Sequence, residues 1–120
     1  MTDAVTPTAA QAIRGWHVHV YYDPATRPSA EAVREGLAAL FPDATLGRWH
    51  DQPVGPHSKG MFQVAFAADR MQAVLPWLML ERRGLTVLVH PETGHEVADH
   101  TAHAAWLGEM LPLCLDMLAD

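Results

Sequence analysis

The 120-residue chain has a single cysteine, Cys114, so no internal disulfide can form and nothing calls for an oxidising compartment. Basic residues are few. Eight Lys and Arg stand against fourteen Asp and Glu, a formal charge of −6, and the eight are scattered along the chain. That balance excludes a nucleic-acid partner, whose phosphates require a basic patch. Long apolar runs are also missing, since the longest, Ala73 to Leu80, is far short of the roughly 20 residues a bilayer span needs. Met1 to Gln11 lack the charged and apolar segments of a secretory signal. These absences predict a cytoplasmic protein without a membrane partner. Nucleotide-binding and serine-nucleophile chemistries find no support either. Gly15, Gly47, Gly55 and Gly60 form no phosphate-binding fingerprint, and Ser58 beside His57 is not a nucleophile signature.

Apolar residues make up 49% of the chain, enough for one core in a chain of this length. Histidine is in excess: His17, His19, His50, His57, His90, His95, His100 and His103. The segment Trp16-His17-Val18-His19-Val20-Tyr21-Tyr22 alternates strictly. It predicts a strand with Trp16, Val18, Val20 and Tyr22 on the core side and His17, His19 and Tyr21 on the other.

Residues 1–12 read as a flexible lead-in and 13–120 as one domain. The first strand is expected over Ile13 to Tyr22, ended by Asp23-Pro24. Ser29 is the expected N-cap of a helix running to Phe41. A second strand over Thr45 to His50 leads into a loop, 51–60, stiffened by Pro53 and Pro56. Met61 to Ala67 alternates again, Asp69 caps a helix to Arg83 that Pro76 should kink, and Leu85 to His90 forms the last strand. A Leu- and Met-rich helix is expected from about Asp99, carrying Trp106 and a buried Cys114.

The order is β-α-β-β-α-β with an extra C-terminal helix, an α+β, ferredoxin-like arrangement with sheet order 4-1-3-2. In that topology the end of the last strand lies beside the start of the first. The helix-free face then carries His17, His19, Tyr21, Gln63 and His90, covered by the tail, by the 51–60 loop or by a second subunit. His17, His19 and His90 are candidate ligands of one metal ion, with positions left open for a substrate. His57, in the stiff loop, suits a placed catalytic group. His100 is a solvated neighbour of the N-cap candidate Asp99, a proton-transfer residue or a replacement ligand. His50, His95 and His103 read as surface residues.

Several blocks in order, His17-Val18-His19-Val20-Tyr21-Tyr22, Gly55-Pro56-His57, Leu88-Val89-His90-Pro91, Thr93-Gly94, Asp99-His100 and Ala105-Trp106-Leu107-Gly108, resemble the signature of the DOPA 4,5-dioxygenase family over about residues 13 to 115. The resemblance implies extradiol opening of a catecholic ring by non-haem iron(II) and O2, on a ferredoxin-like fold that often dimerises. It assigns His17, His19 and His90 to iron, and His57 and His100 to proton transfer and substrate contact, with Tyr21 as a hydrogen-bond donor. Either Glu96 or Asp99 completes a two-His-one-carboxylate set, or the site uses three histidines. Two rival readings predict other outcomes: a non-catalytic module holding zinc or an aromatic metabolite, and a dimer whose His-rich face is the subunit interface.

Overall fold

The computed structural model of the chain describes residues 12–119. Of the expected lead-in, all but Ala12 lies outside the described residues. The strands are β1 (Gly15–Tyr22), β2 (Thr45–Leu46), β3 (Gly60–Ala67), β4 (Val87–Pro91) and β5 (Ala105–Leu107). The helices are α1 (Arg27–Leu40), α2 (Met71–Glu81) and the short α3 (Glu96–His100). The sheet runs β2-β3-β1-β4-β5 with every neighbouring pair antiparallel, so the expected order 4-1-3-2 is present with one more strand beside β4.

The alternation of β1 decides how the layers form. Val18, Val20 and Tyr22 join Phe62, Val64, Phe66, Val87 and Val89 on one face, against Ala30, Val33 and Leu37 of α1 and Val74 and Leu78 of α2. Full burial of each such side chain stabilises the fold by about 1.5–3 kcal/mol. On the opposite face Tyr21, Met61 and Leu88 form a smaller cluster under Ala104, Trp106, Leu111 and Leu113.

Local boundaries differ from the sequence expectation for identifiable reasons. Helix α1 starts at Arg27, not after Ser29, because Pro28 suits the first turn and Asp23 ties the preceding loop to the Thr26 N–H and hydroxyl at 2.9 and 3.0 Å. The second strand shrinks to Thr45–Leu46 plus an isolated His50–Met61 bridge. Pro76 is accommodated within an unbroken α2, which follows a 3-10 turn at Ala68–Arg70 and not a helix capped by Asp69.

The tail departs most. The extra helix is α3, only five residues long, and the chain then turns into β5, so Trp106 is on a strand. Gly108 adopts φ +82, a left-handed conformation that breaks helical continuation, and Pro112 has no N–H to give a helix. Cys114 is exposed on an extended stretch, where its N–H donates to the Pro56 carbonyl at 2.8 Å. That bond and the His57–Leu113 bridge join the tail to the 51–60 loop. Tail and loop together cover part of the histidine face.

Candidate metal centre

Strand register builds the site. His17 lies opposite His90 across the β1–β4 ladder, and His19 lies opposite Leu88. Paired residues point to the same side of a sheet, so His17, His19 and His90 share the helix-free face. Each offers a ligand atom, and these atoms all lie within 4.8 Å of one another. His19 and His90 are almost fully buried, whereas the His17 side chain is 27% exposed.

His90 Nδ1–H donates to the carbonyl of Pro91 at 3.0 Å, which leaves its Nε2 as a lone pair. His19 Nε2 lies 3.1 Å from that Nε2 and donates to it when both rings are neutral. His19 Nδ1 is then a buried lone pair with no hydrogen-bond partner among the described residues. A buried polar atom in that state is costly unless something else satisfies it. Two nitrogens bound at right angles to one ion, each about 2.1 Å away, would stand about 3 Å apart, close to the observed spacing.

The electrostatics favour neutral ligands. Burial lowers the pKa of His19 well below the ordinary imidazole range, with further lowering from His57, His90, His17 and His100. Burial lowers His90 to about 4, against the Pro91 hydrogen bond that acts to raise it. His17 is lowered chiefly by burial, partly offset by Glu92. Neutral imidazoles present the lone pairs that a metal needs. The donor set and the Nε2–Nε2 spacing fit a bound metal ion.

The remaining predicted residues stand around this trio. His57 packs on His19 with ring centroids 4.2 Å apart, and His100 packs on His90 at 4.0 Å. Tyr21 hydroxyl and His57 Nδ1 are 2.7 Å apart. Burial lowers His57 to about 4 and raises Tyr21 above its usual range, so the phenol keeps its proton. His100 Nδ1–H donates to the Glu96 carbonyl at 2.8 Å, which frees Nε2.

The expected carboxylates are placed differently. Asp99 accepts from the Thr93 N–H, the Thr93 hydroxyl and His103 Nδ1 at 2.8, 2.7 and 2.9 Å, so it organises the turn and is not one of the grouped ligands. Burial acts to raise its pKa, but those hydrogen bonds outweigh it and the carboxyl stays below its usual range. Glu96 contributes its backbone carbonyl to His100. The residue missed from sequence is Glu92. Its Oε2 lies 3.5 Å from Nδ1 of both His17 and His90, on the side away from the His90 lone pair. The usable signal is its position two residues after His90 on a strand that ends there. A carboxylate behind a ligating imidazole fixes the ring and raises its basicity.

A family model described as "Dopa 4,5-dioxygenase family" matches residues 16–117. An uncharacterised 21.2 kDa protein of Botryotinia fuckeliana is 36% identical over 118 residues, spanning 88% of this chain and 64% of that protein. The DOPA 4,5-dioxygenase of Amanita muscaria is 32% identical over 111 residues, spanning 86% of this chain and 49% of the enzyme. The chain therefore spans about half to two thirds of the length of these curated relatives. A candidate dioxygenase of Nostoc punctiforme, solved by crystallography, is 53% identical, with a TM-score of 0.88 over 90% of this chain and 93% of that one.

Proposed function

Because this chain belongs to the Dopa 4,5-dioxygenase family, we propose that it is a non-haem iron(II) extradiol dioxygenase that opens the ring of a small catecholic compound with O2. The observation that carries the reading is the convergence of the His17, His19 and His90 ligand atoms within 4.8 Å on one sheet face. These three residues would hold the iron, a three-histidine set with Glu92 behind it. Iron(II), when bound, supplies Lewis-acid activation of the catechol oxygens and one-electron chemistry toward dioxygen.

The chain's own residues do the rest. His57 is neutral near neutral pH, and with Nδ1 accepting from the Tyr21 hydroxyl its Nε2 carries a proton it can donate. Tyr21, kept protonated by burial, donates a hydrogen bond and orients the His57 ring. His100, anchored through Nδ1 to the Glu96 carbonyl, presents Nε2 as a second proton carrier. The tail and the 51–60 loop shield these rings from bulk water on the inner side, where His19, His57, His90 and His100 are each less than 8% exposed. The family resemblance extends the reading to a homodimer, which light scattering of the purified chain would test. No helix of the described residues is long and apolar enough to cross a membrane.

The test is turnover by iron(II)-loaded protein in air with a panel of catechols, following oxygen uptake and the yellow ring-opened semialdehyde. The reading expects both signals together, and their loss in His19→Ala. Tight zinc binding with no oxygen uptake on any catechol would contradict it and favour the non-catalytic metal module.

A further inference from the structure

We infer that two copies of this chain meet through the outer face of α2, antiparallel about a two-fold axis; this rests on the homodimer proposed above and gives it an interface. Between Met71 and Leu80 the sequence carries no charge and a single amide, Gln72. A helix that covers one core needs only one apolar stripe, and α2 uses Val74 and Leu78 for it. The far side is apolar as well. Ala73, Pro76 and Leu80 are exposed at helical spacing with Met79 beside them, Leu80 at 82% and Met79 at 53%. A helix that is apolar all round belongs in an interior. The patch continues onto α1. The Trp77 ring lies over Gly36, where a Cβ would come within 2.5 Å of it, and Leu40, one turn further along that face, is 55% exposed. A contiguous exposed apolar surface of this kind marks a contact surface.

The charges at the ends of α2 point to a second copy as the occupant. Asp69, just before the helix, and Arg83, just after it, are exposed and have no ion-pair partner among the described residues. The other flanking cations are taken. Arg70 pairs with Asp43 at 3.1 Å, and Arg82 donates to the Leu85 and Met79 carbonyls, both at 3.0 Å. Glu81 is turned about 140° around the helix from Pro76, away from the face. An acid at one end of an uncharged face and a base at the other complement the same face reversed. Pro76 lies midway in sequence between Asp69 and Arg83. A two-fold axis beside it sets each Asp69 against the other copy's Arg83, so two ion pairs flank an apolar centre. The small Ala73 side chain and the Pro76 ring suit the roughly 8–10 Å separation of packed helices. Two copies of net charge −6 also repel each other least across a face without charge. An anionic lipid surface fits this face less well, because it calls for several free Lys and Arg and α2 offers Arg83 alone.

Sedimentation velocity of the full chain over a range of concentrations is the test. The wild-type protein is expected to sediment as a dimer. Leu80→Arg and Asp69→Arg should each weaken that dimer by at least about tenfold, the first by burying a charge and the second by setting the arginines of two copies against each other. Adding Arg83→Asp to Asp69→Arg should bring the dissociation constant back to within a few-fold of wild type. Met110→Arg, at an exposed position on the tail over the histidine face, should leave it unchanged. Circular-dichroism melts check that each variant folds, and if Leu80→Arg does not, the charge pair alone decides. A dimer that survives either single substitution on α2, or that Met110→Arg dissolves, overturns this face while a homodimer stands. A double variant as monomeric as Asp69→Arg does the same. Wild-type protein that is monomeric at every concentration, whether or not it floats with vesicles of anionic phospholipid, overturns the homodimer as well. The ring-opening reading survives each of these results, because α2 packs on the opposite side of the sheet from His17, His19 and His90.

Discussion

Acidification should unfold the metal-free protein through its histidine cluster, and the size of the effect follows from burial. His57 and His90 titrate at about 4 in the fold, against 6.5 for a free imidazole. Each is therefore neutral when folded and takes up a proton on unfolding at any pH between those values. The stabilisation from keeping these rings neutral is complete above pH 6.5, declines as the pH falls, and is gone below about 4, where the native rings protonate too. At about 1.36 kcal/mol per pH unit, the full loss approaches roughly 3 kcal/mol per ring, and at pH 5 it is about 2 kcal/mol per ring. Two rings thus remove about 4 kcal/mol at pH 5, a large share of the 5–15 kcal/mol typical of whole domains. His19, also lowered, adds in the same direction.

Urea titration followed by tryptophan fluorescence measures this directly. With an m-value of about 1.5 kcal/mol/M, the midpoint should fall by roughly 2–3 M between pH 7.5 and 5 without a change in m. His57→Gln should shrink the pH-dependent part by about half, whatever it does to the baseline. The Asp99 carboxyl is held below the ordinary carboxylate range by its hydrogen bonds, so its contribution is lost only at more acidic pH. A midpoint that stays constant or rises between pH 7.5 and 5 would refute the burial argument.

Three further outcomes are expected. Glu92→Gln should weaken metal binding about 10–100-fold in a chelator competition assay, since the carboxylate behind His17 and His90 is lost; unchanged affinity would remove Glu92 from the site. Gly60→Ala places a Cβ 2.8 Å from the His50 carbonyl and 3.0 Å from that of Asp51, both backbone atoms, so the start of the His57 loop must shift. Thermal melting should show a loss of about 1–3 kcal/mol, accompanied by lower turnover. Phe62→Ala empties a position at 0% exposure and should cost about 3–5 kcal/mol by urea midpoint while leaving the ligand geometry to the other face.

The sequence revealed the site better than its surroundings. Alternation in β1 placed His17 and His19 on the face opposite Val18 and Val20, and the ferredoxin-like order put His90 beside His17, both as observed. These features rest on a period of two and a short-range topology rule, which a sequence carries openly. The tail was misread because Leu and Met content mimics an amphipathic helix, while the deciding features were the left-handed Gly108 and the backbone bond from Cys114 to Pro56. Neither follows from hydrophobic periodicity, and the second joins residues far apart in sequence. Glu92 was overlooked for a related reason. Its value arises only when the turn after β4 folds back toward two imidazoles, whereas Asp99, the more conspicuous candidate, is taken up by Thr93 and His103.

The central claim is that three imidazoles hold one metal ion, and anomalous diffraction from crystals grown with iron(II) under nitrogen addresses it most directly. The account predicts one strong anomalous peak on the helix-free face, about 2.0–2.3 Å from one nitrogen each of His17, His19 and His90. A peak bound elsewhere, or metal-saturated crystals with no peak between these rings, would contradict it.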